Sequence, residues 1–217
     1  MLRGFVEVTV WDRDGKVVQR GRQEMRSFIN NFLKILEALF RAGQGSATTT
    51  TLTDTGGSSK TVYVEWYSPG VGSGIDYAGG TPMACNASSG DDSYGIVVGS
   101  GTVSLALDQY SLASKISHGT SSGQLSYGPM AFEDLGLVQT VSPPVYRMRL
   151  IRTFINLTSS AININEVGIV ARNHWKNAGS VIIDVRYLIA RDVLATTYTV
   201  PAGGGASVAI TIEVEVG

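Results

Sequence analysis

Acid–base, metal or nucleophilic chemistry in this chain would have to come from two histidines, one cysteine and scattered carboxylates. His118 and His174 stand far apart, and no His-x-x-x-His or Cys/His spacing accompanies either, so a zinc site is not expected. Cys85 is alone in a Ser/Gly-rich stretch, which excludes a disulfide framework within the chain and a thiolate cluster. Ser117 precedes His118, but neighbours on an extended chain point apart, and no Gly-x-Ser-x-Gly elbow exists. Glycosidases need two carboxylates across a cleft. The adjacent pairs Asp91-Asp92 and Glu133-Asp134 lie in Gly/Ser/Pro-rich sequence, where acidic residues mostly serve turns. Glu166 is different, because it sits among apolar residues beside Gly168. With Arg152, Arg172 or Arg191 near it in a sheet, a buried charge-assisted pair is the expectation, and Glu166, Arg152 and Arg191 are its candidate members. No catalysis, cofactor or metal is expected.

Ligand motifs fare no better. Asp12-Arg13-Asp14-Gly15 resembles the start of a calcium loop, but Val17 and Val18 follow where oxygen ligands are needed, so it reads as a turn. The glycines of 70–80 have no Gly-Lys-Ser/Thr and no strand-to-helix setting, which excludes a phosphate loop. Arg13, Arg20, Arg22 and Arg26 read as an ordinary solvated face, and a net charge of −1 makes nucleic acid an unexpected partner. The Asn86 and Asn156 glycosylation patterns are read as chance, since the N-terminus lacks the apolar run of a signal peptide. No stretch approaches the length of a membrane-spanning helix, and no membrane partner is expected.

The elements that must position these residues are mostly strands. In the last segment Val208, Ile210, Ile212, Val214 and Val216 alternate with Ala209, Thr211, Glu213 and Glu215, the period of a strand with one wet face. Residues 146–156, 181–189 and 197–200 add further strands, and 201–205 breaks the chain. Ile162 and Ile164 are out of phase with Val167 and Ile169, so a bulge near Asn165 and Glu166 is expected. Residues 4–20 read as a hairpin with Val6, Val8 and Val10 on one face and Gly15 in the turn. Residues 61–67 and 103–107 read as strands, and Asp108 as the cap of a short helical turn reaching Ile116. One long helix is expected over 23–42, where Met25, Phe28, Ile29, Phe32, Leu33, Leu36, Leu39 and Phe40 share a broad stripe and Gly43 stops it.

These pieces predict a mainly β fold: an antiparallel β-sandwich or barrel in a single domain spanning 1–217, with one long amphipathic α-helix near the N-terminus. A Gly/Ser/Thr-rich surface insertion or lobe is expected over 44–94, with 46–59 as a loop. Only 16% of residues are charged. Between Gly45 and Pro144 the only basic residues are Lys60 and Lys115, against eight acidic ones, an asymmetry that could steer head-to-tail contacts between copies.

From residue 95 onward the chain carries an ordered series of strings. They are Gly95-Ile96-Val97-Val98-Gly99-Ser100-Gly101, Asp108-Gln109-Tyr110-Ser111-Leu112-Ala113 and Gly123-Gln124-Leu125-Ser126-Tyr127-Gly128, then Arg152-Thr153-Phe154-Ile155-Asn156 and Asn165-Glu166-Val167-Gly168-Ile169. Leu188-Ile189-Ala190-Arg191-Asp192-Val193-Leu194, Val200-Pro201-Ala202-Gly203-Gly204 and the terminal alternating strand close it. In this order they resemble a group of tailed-phage and environmental viral proteins, over a little more than half the chain. The resemblance implies a structural virion component, found in a virion or extracellular particle, and supplies no catalytic residues. It does not reach 44–94.

The expected function is therefore a structural protein that self-assembles into a repeating particle, tail or filament, with copies of itself as partners and other virion proteins as further candidates. The candidate assembly residues are Val6, Val8, Val10, Phe28, Phe32, Val208, Ile210, Ile212 and Val214, since terminal strands can complete a neighbour's sheet. The competing expectation is a receptor- or glycan-binding tail-tip or fibre module, using Tyr63, Trp66, Tyr67, Tyr77 and Tyr94.

Overall fold

A computed structural model describes residues 2–25, 27–41, 49–64, 81–176 and 182–216. The protein is mainly β, with strands β1 (Leu2–Trp11), β2 (Val17–Glu24), β3 (Thr49–Thr53), β4 (Ser59–Tyr63), β5 (Thr81–Ala84), β6 (Gly95–Gly99), β7 (Ser126–Val138), β8 (Val145–Ile155), β9 (Ile162–Lys176), β10 (Ile182–Val200) and β11 (Gly205–Glu215). A helix, α1 (Asn30–Arg41), follows β2. Sheet A runs β2-β1-β11-β8-β7, sheet B runs β10-β9-β5 with β6 also on β9, and β3 and β4 form a separate hairpin. All these pairings are antiparallel. Neither sheet closes on itself along these orders.

The period-two pattern decides which face is buried. Val6, Val8 and Val10 of β1 meet Ile210, Val208 and Ala206 of β11 in register, and β8 adds Leu150 and Phe154. These join Ile164, Val167 and Ile169 of β9 and Tyr187, Leu188 and Ala190 of β10 in one hydrophobic core. The β1–β2 turn forms as its residues predict: Asp12 accepts the Asp14 and Lys16 amides, and Gly15 takes φ +80°.

The structure corrects several sequence expectations. The helix is shorter than 23–42. Gln23 and Glu24 finish β2, and 27–29 lies along the free side of β10, where Arg191 N donates to Ser27 O and Ile29 N to Ile189 O. Tertiary backbone bonds outcompete helical ones there, so α1 starts at Asn30. Its buried side holds Asn31, Ile35 and Ala38, while Leu33 and Phe40, counted in the apolar stripe, are exposed (Phe40 84%). Asn31 is buried because its amide donates to Thr53 O and Leu188 O and accepts from Thr53 N, tying the helix to β3 and β10. The proposed stop, Gly43, lies outside the described residues.

Thr49–Thr53, expected in a loop, is a strand paired with β4. The 44–94 stretch also supplies β5 to sheet B and the buried Cys85, Ala87 and Tyr94 to the core. Residues 103–107 form no strand and 108–116 no helix. The run from 100 to 125 is irregular, with Val103 and Leu107 exposed. The strands expected at 181–189 and 197–200 are one strand, β10. The phase change in β9 coincides with an irregularity on its partner, between Val193 and Tyr198 of β10, so the extra residues sit opposite Asn165.

Candidate assembly surface and polar clamps

The charged residues inside the protein hold loops rather than form a reactive centre. Glu166 and Arg191 are both fully buried, with Arg191 Nη2 2.7 Å from Glu166 Oε2. The same carboxylate accepts the amides of Gly101, Ala113 and Ser114, while Arg191 continues to Gln109 Oε1 and Val103 O. Four hydrogen-bond donors on one carboxylate, the three amides and Arg191 Nε, and two acceptors beyond the guanidinium pin the irregular 100–114 segment onto sheet B. Gly99 and Gly101 leave the room for it, since a Cβ at either would overlap Glu166 Oε1.

Arg152, grouped with Glu166 on sequence grounds, is elsewhere. Its guanidinium donates to five main-chain carbonyls, those of Ser88, Asp91, Tyr94, Ile96 and Gly128, and lies 4.8 Å from the centre of the Tyr127 ring. Burial lowers its pKa from the usual value, with Tyr127, Asp91 and Asp92 opposing. It fastens 88–96 and the start of β7 to β8. A β-strand arginine pointing into the core is visible in sequence, but nothing there says that carbonyls will receive it.

The remaining candidates also serve structure. Asp91 closes a turn onto Ser93. Asp92 accepts the His118 amide and pairs with Lys115 at 3.1 Å; partial burial pushes its carboxyl up, but these two contacts together hold it below its ordinary value. His118 Nδ1 accepts the Tyr127 amide. His174 sits beside Arg172, 3.3 Å from ring Nδ1 to the guanidinium, and Arg172 forks onto Asp184, which lowers the pKa of Asp184 and raises that of Arg172. Cys85 is buried, which pushes its thiol up to about 12. Among the described residues no group of three or more His, Cys, Asp or Glu is placed to hold a metal ion, and no helix is long and apolar enough to cross a membrane.

Most of the candidate assembly residues are turned into the core of the single chain. Val6, Val8, Val10, Val208 and Ile210 are core, and β11 lies inside sheet A between β1 and β8. Phe28 and Phe32 stack on each other at 4.7 Å and pack partly buried against the core, as does Ile212. Only Val214 of the nine is exposed. Alternation identifies the buried face of a terminal strand but not the chain that buries it.

What is open is the continuation of the same face. Across sheet A the residues of one row, Val6, Ile210 and Leu150, are buried and end at Phe132, which is 53% exposed. Two rows further on, Leu2, Val214, Tyr146 and Leu137 stand side by side on four strands and are all exposed, with Met148 between. The core-facing side thus runs out past its cover into an apolar strip. The sequence signal for it is the apolar trio Phe132, Leu135 and Leu137 in β7, whose period-two phase is interrupted between Asp134 and Gly136. Trp66, Tyr67 and Tyr77 of the competing glycan reading lie outside the described residues; Tyr94 is in the core.

No family model, no curated protein and no solved structure matches the chain.

Proposed function

We propose that this chain is a structural virion protein whose copies assemble with one another into a repeating particle, tail or filament, and that it performs no catalysis. The observation that carries the reading is the exposed apolar row Leu2, Val214, Tyr146 and Leu137, because a contiguous apolar strip left on a sheet face marks a contact surface. The buried charges support it: each of Glu166, Arg191 and Arg152 spends its hydrogen bonds on fixing loops. The order of strings from residue 95, with its likeness to phage and environmental viral proteins, points the same way. On this reading sheets A and B are the two halves of a β-sandwich, the strip is where sheet A overhangs sheet B, and the protein resides in a virion or extracellular particle.

The test is size-exclusion chromatography with light scattering and negative-stain microscopy of the purified protein. Regular multimers, dispersed when Tyr146 and Leu137 are both changed to Ser, are the expected result. A monomer at all attainable concentrations, or one that binds glycans or cells, overturns it.

A further inference from the structure

The two edges of sheet A differ in charge. On the outer face an ion-pair chain crosses the sheet: Arg20 of β2 meets Glu7 of β1 at 2.6 Å, Glu7 meets Arg149 of β8 at 3.6 Å, and Arg149 meets Glu133 of β7 at 3.6 Å. It passes over the short side chains of Ala209 and Thr211 on β11, which are in register with Glu7 and Arg149. The chain begins in a cation at one edge and ends in an anion at the other. Arg20 is 67% exposed and Glu133 46%. Around these ends β2 carries a second arginine, Arg22, with Glu24 at its far end, while β7 carries no basic residue and has Asp134 on the opposite face.

Both edges also keep main chain available. Among the described residues β2 pairs only with β1 within sheet A. On β7 the first part is covered, since Met130 N donates to Ala87 O and Gly90 N to Tyr127 O. Beyond it 131–134 has no second strand partner among the described residues, until the irregularity before Gly136, at φ +65°, bends the strand. Phe132 lies in this short open stretch, and Val17 and Val18 are exposed on β2.

We propose that a second copy of this chain continues sheet A edge to edge, its β2 lying beside 131–134 of β7 so that Arg20 and Arg22 extend the ion-pair chain from Glu133. The inference rests on the self-assembly reading above and names its geometry. Five alternating strands make β2 and β7 run in the same direction, so this contact is a parallel pair. Two β7 edges related by a two-fold axis would pair antiparallel, but they would bring Glu133 and Asp134 of both copies together with no base on either strand. The favoured contact joins different patches, and such head-to-tail contacts generate rings or filaments.

Three samples test it: Glu133→Arg, the double variant Arg20→Glu with Arg22→Glu, and their equimolar mixture. Each variant alone presents like charges at both edges, so each is expected to be folded by circular dichroism yet to need at least about tenfold more protein to assemble than the unchanged chain. In the mixture every junction again joins opposite charges, and assembly is expected to return. Salt at about 0.5 M, where the screening length is a few ångströms, should weaken assembly of the unchanged chain. If Glu133→Arg does not fold, Glu133→Gln replaces it, with a smaller loss and no rescue expected. Variants that assemble like the unchanged chain, a mixture that stays dispersed, or a closed dimer cross-linked β7 to β7 overturn the edge contact while leaving self-assembly standing. An unchanged chain that never assembles removes both.

Discussion

Glu166 on β9 and Arg191 on β10 touch at 2.7 Å with neither side chain reaching solvent, and three loop amides complete the carboxylate's shell. Removing one partner of such a pair leaves an uncompensated buried charge, at a cost of about 3–5 kcal/mol. Glu166→Ala should therefore lower unfolding free energy by that amount in urea titration. Hydrogen exchange should show the amides of Gly101, Ala113 and Ser114 losing protection before the sheet does, because the loop is held by this carboxylate. A replacement of Glu166 and Arg191 together by apolar residues should cost less than either single change.

Arg152→Lys keeps the charge but not the fork. The guanidinium serves five carbonyls in different directions, and an ammonium has three donors on a flexible stem. Leaving two buried acceptors unserved, at about 1–3 kcal/mol each, predicts a loss of roughly 2–6 kcal/mol in chemical denaturation. A lysine variant as stable as the unchanged chain would show that the carbonyl cage does not hold 88–96 in place.

Cys85 predicts a negative result that is simple to check. Its thiol is buried and pushed up to about 12, so the thiolate that reacts is scarce near neutrality. The folded chain should resist a thiol-reactive dye at pH 8 and react fully once denatured. Rapid labelling of the native protein would contradict the burial.

The β content, the hairpin at the start and the core faces of β1, β8 and β11 were legible because strand alternation survives whatever lies above it. Glu166 was legible as a buried charge for the same reason: an acid among valines and isoleucines must find a partner. The helix start was not, since 23–29 has a helical apolar pattern, while pairing with β1 holds 23–24 and the free side of β10 holds 27–29 in extended form. The place of β11 was hidden because pairing order depends on contacts distant in sequence, and β11 borders β1, at the other end of the chain. The open edge at 131–134 and the cation at Arg20 are properties of that order, so no local pattern announces them.

Asp184 predicts how stability responds to acid. The fork from Arg172, with Arg186 at 3.4 Å, holds its carboxyl below the ordinary value of 3.8. A carboxylate depressed on folding contributes stability that is fully present above the unfolded value and lost as pH falls through the folded one. Denaturation midpoints should thus stay level from pH 7 to about 5 as far as this group is concerned, then drop below about pH 4. Asp184→Asn should be less stable at pH 7, and the difference from the unchanged chain should shrink towards pH 2. The pair is partly exposed, so the effect is modest and weakens in salt. If the pH curves of Asp184→Asn and the unchanged chain run parallel down to pH 2, Asp184 carries no folding-linked proton. The two arginines, Arg172 and Arg186, which face each other directly across β9 and β10, would then need another anion to hold them together.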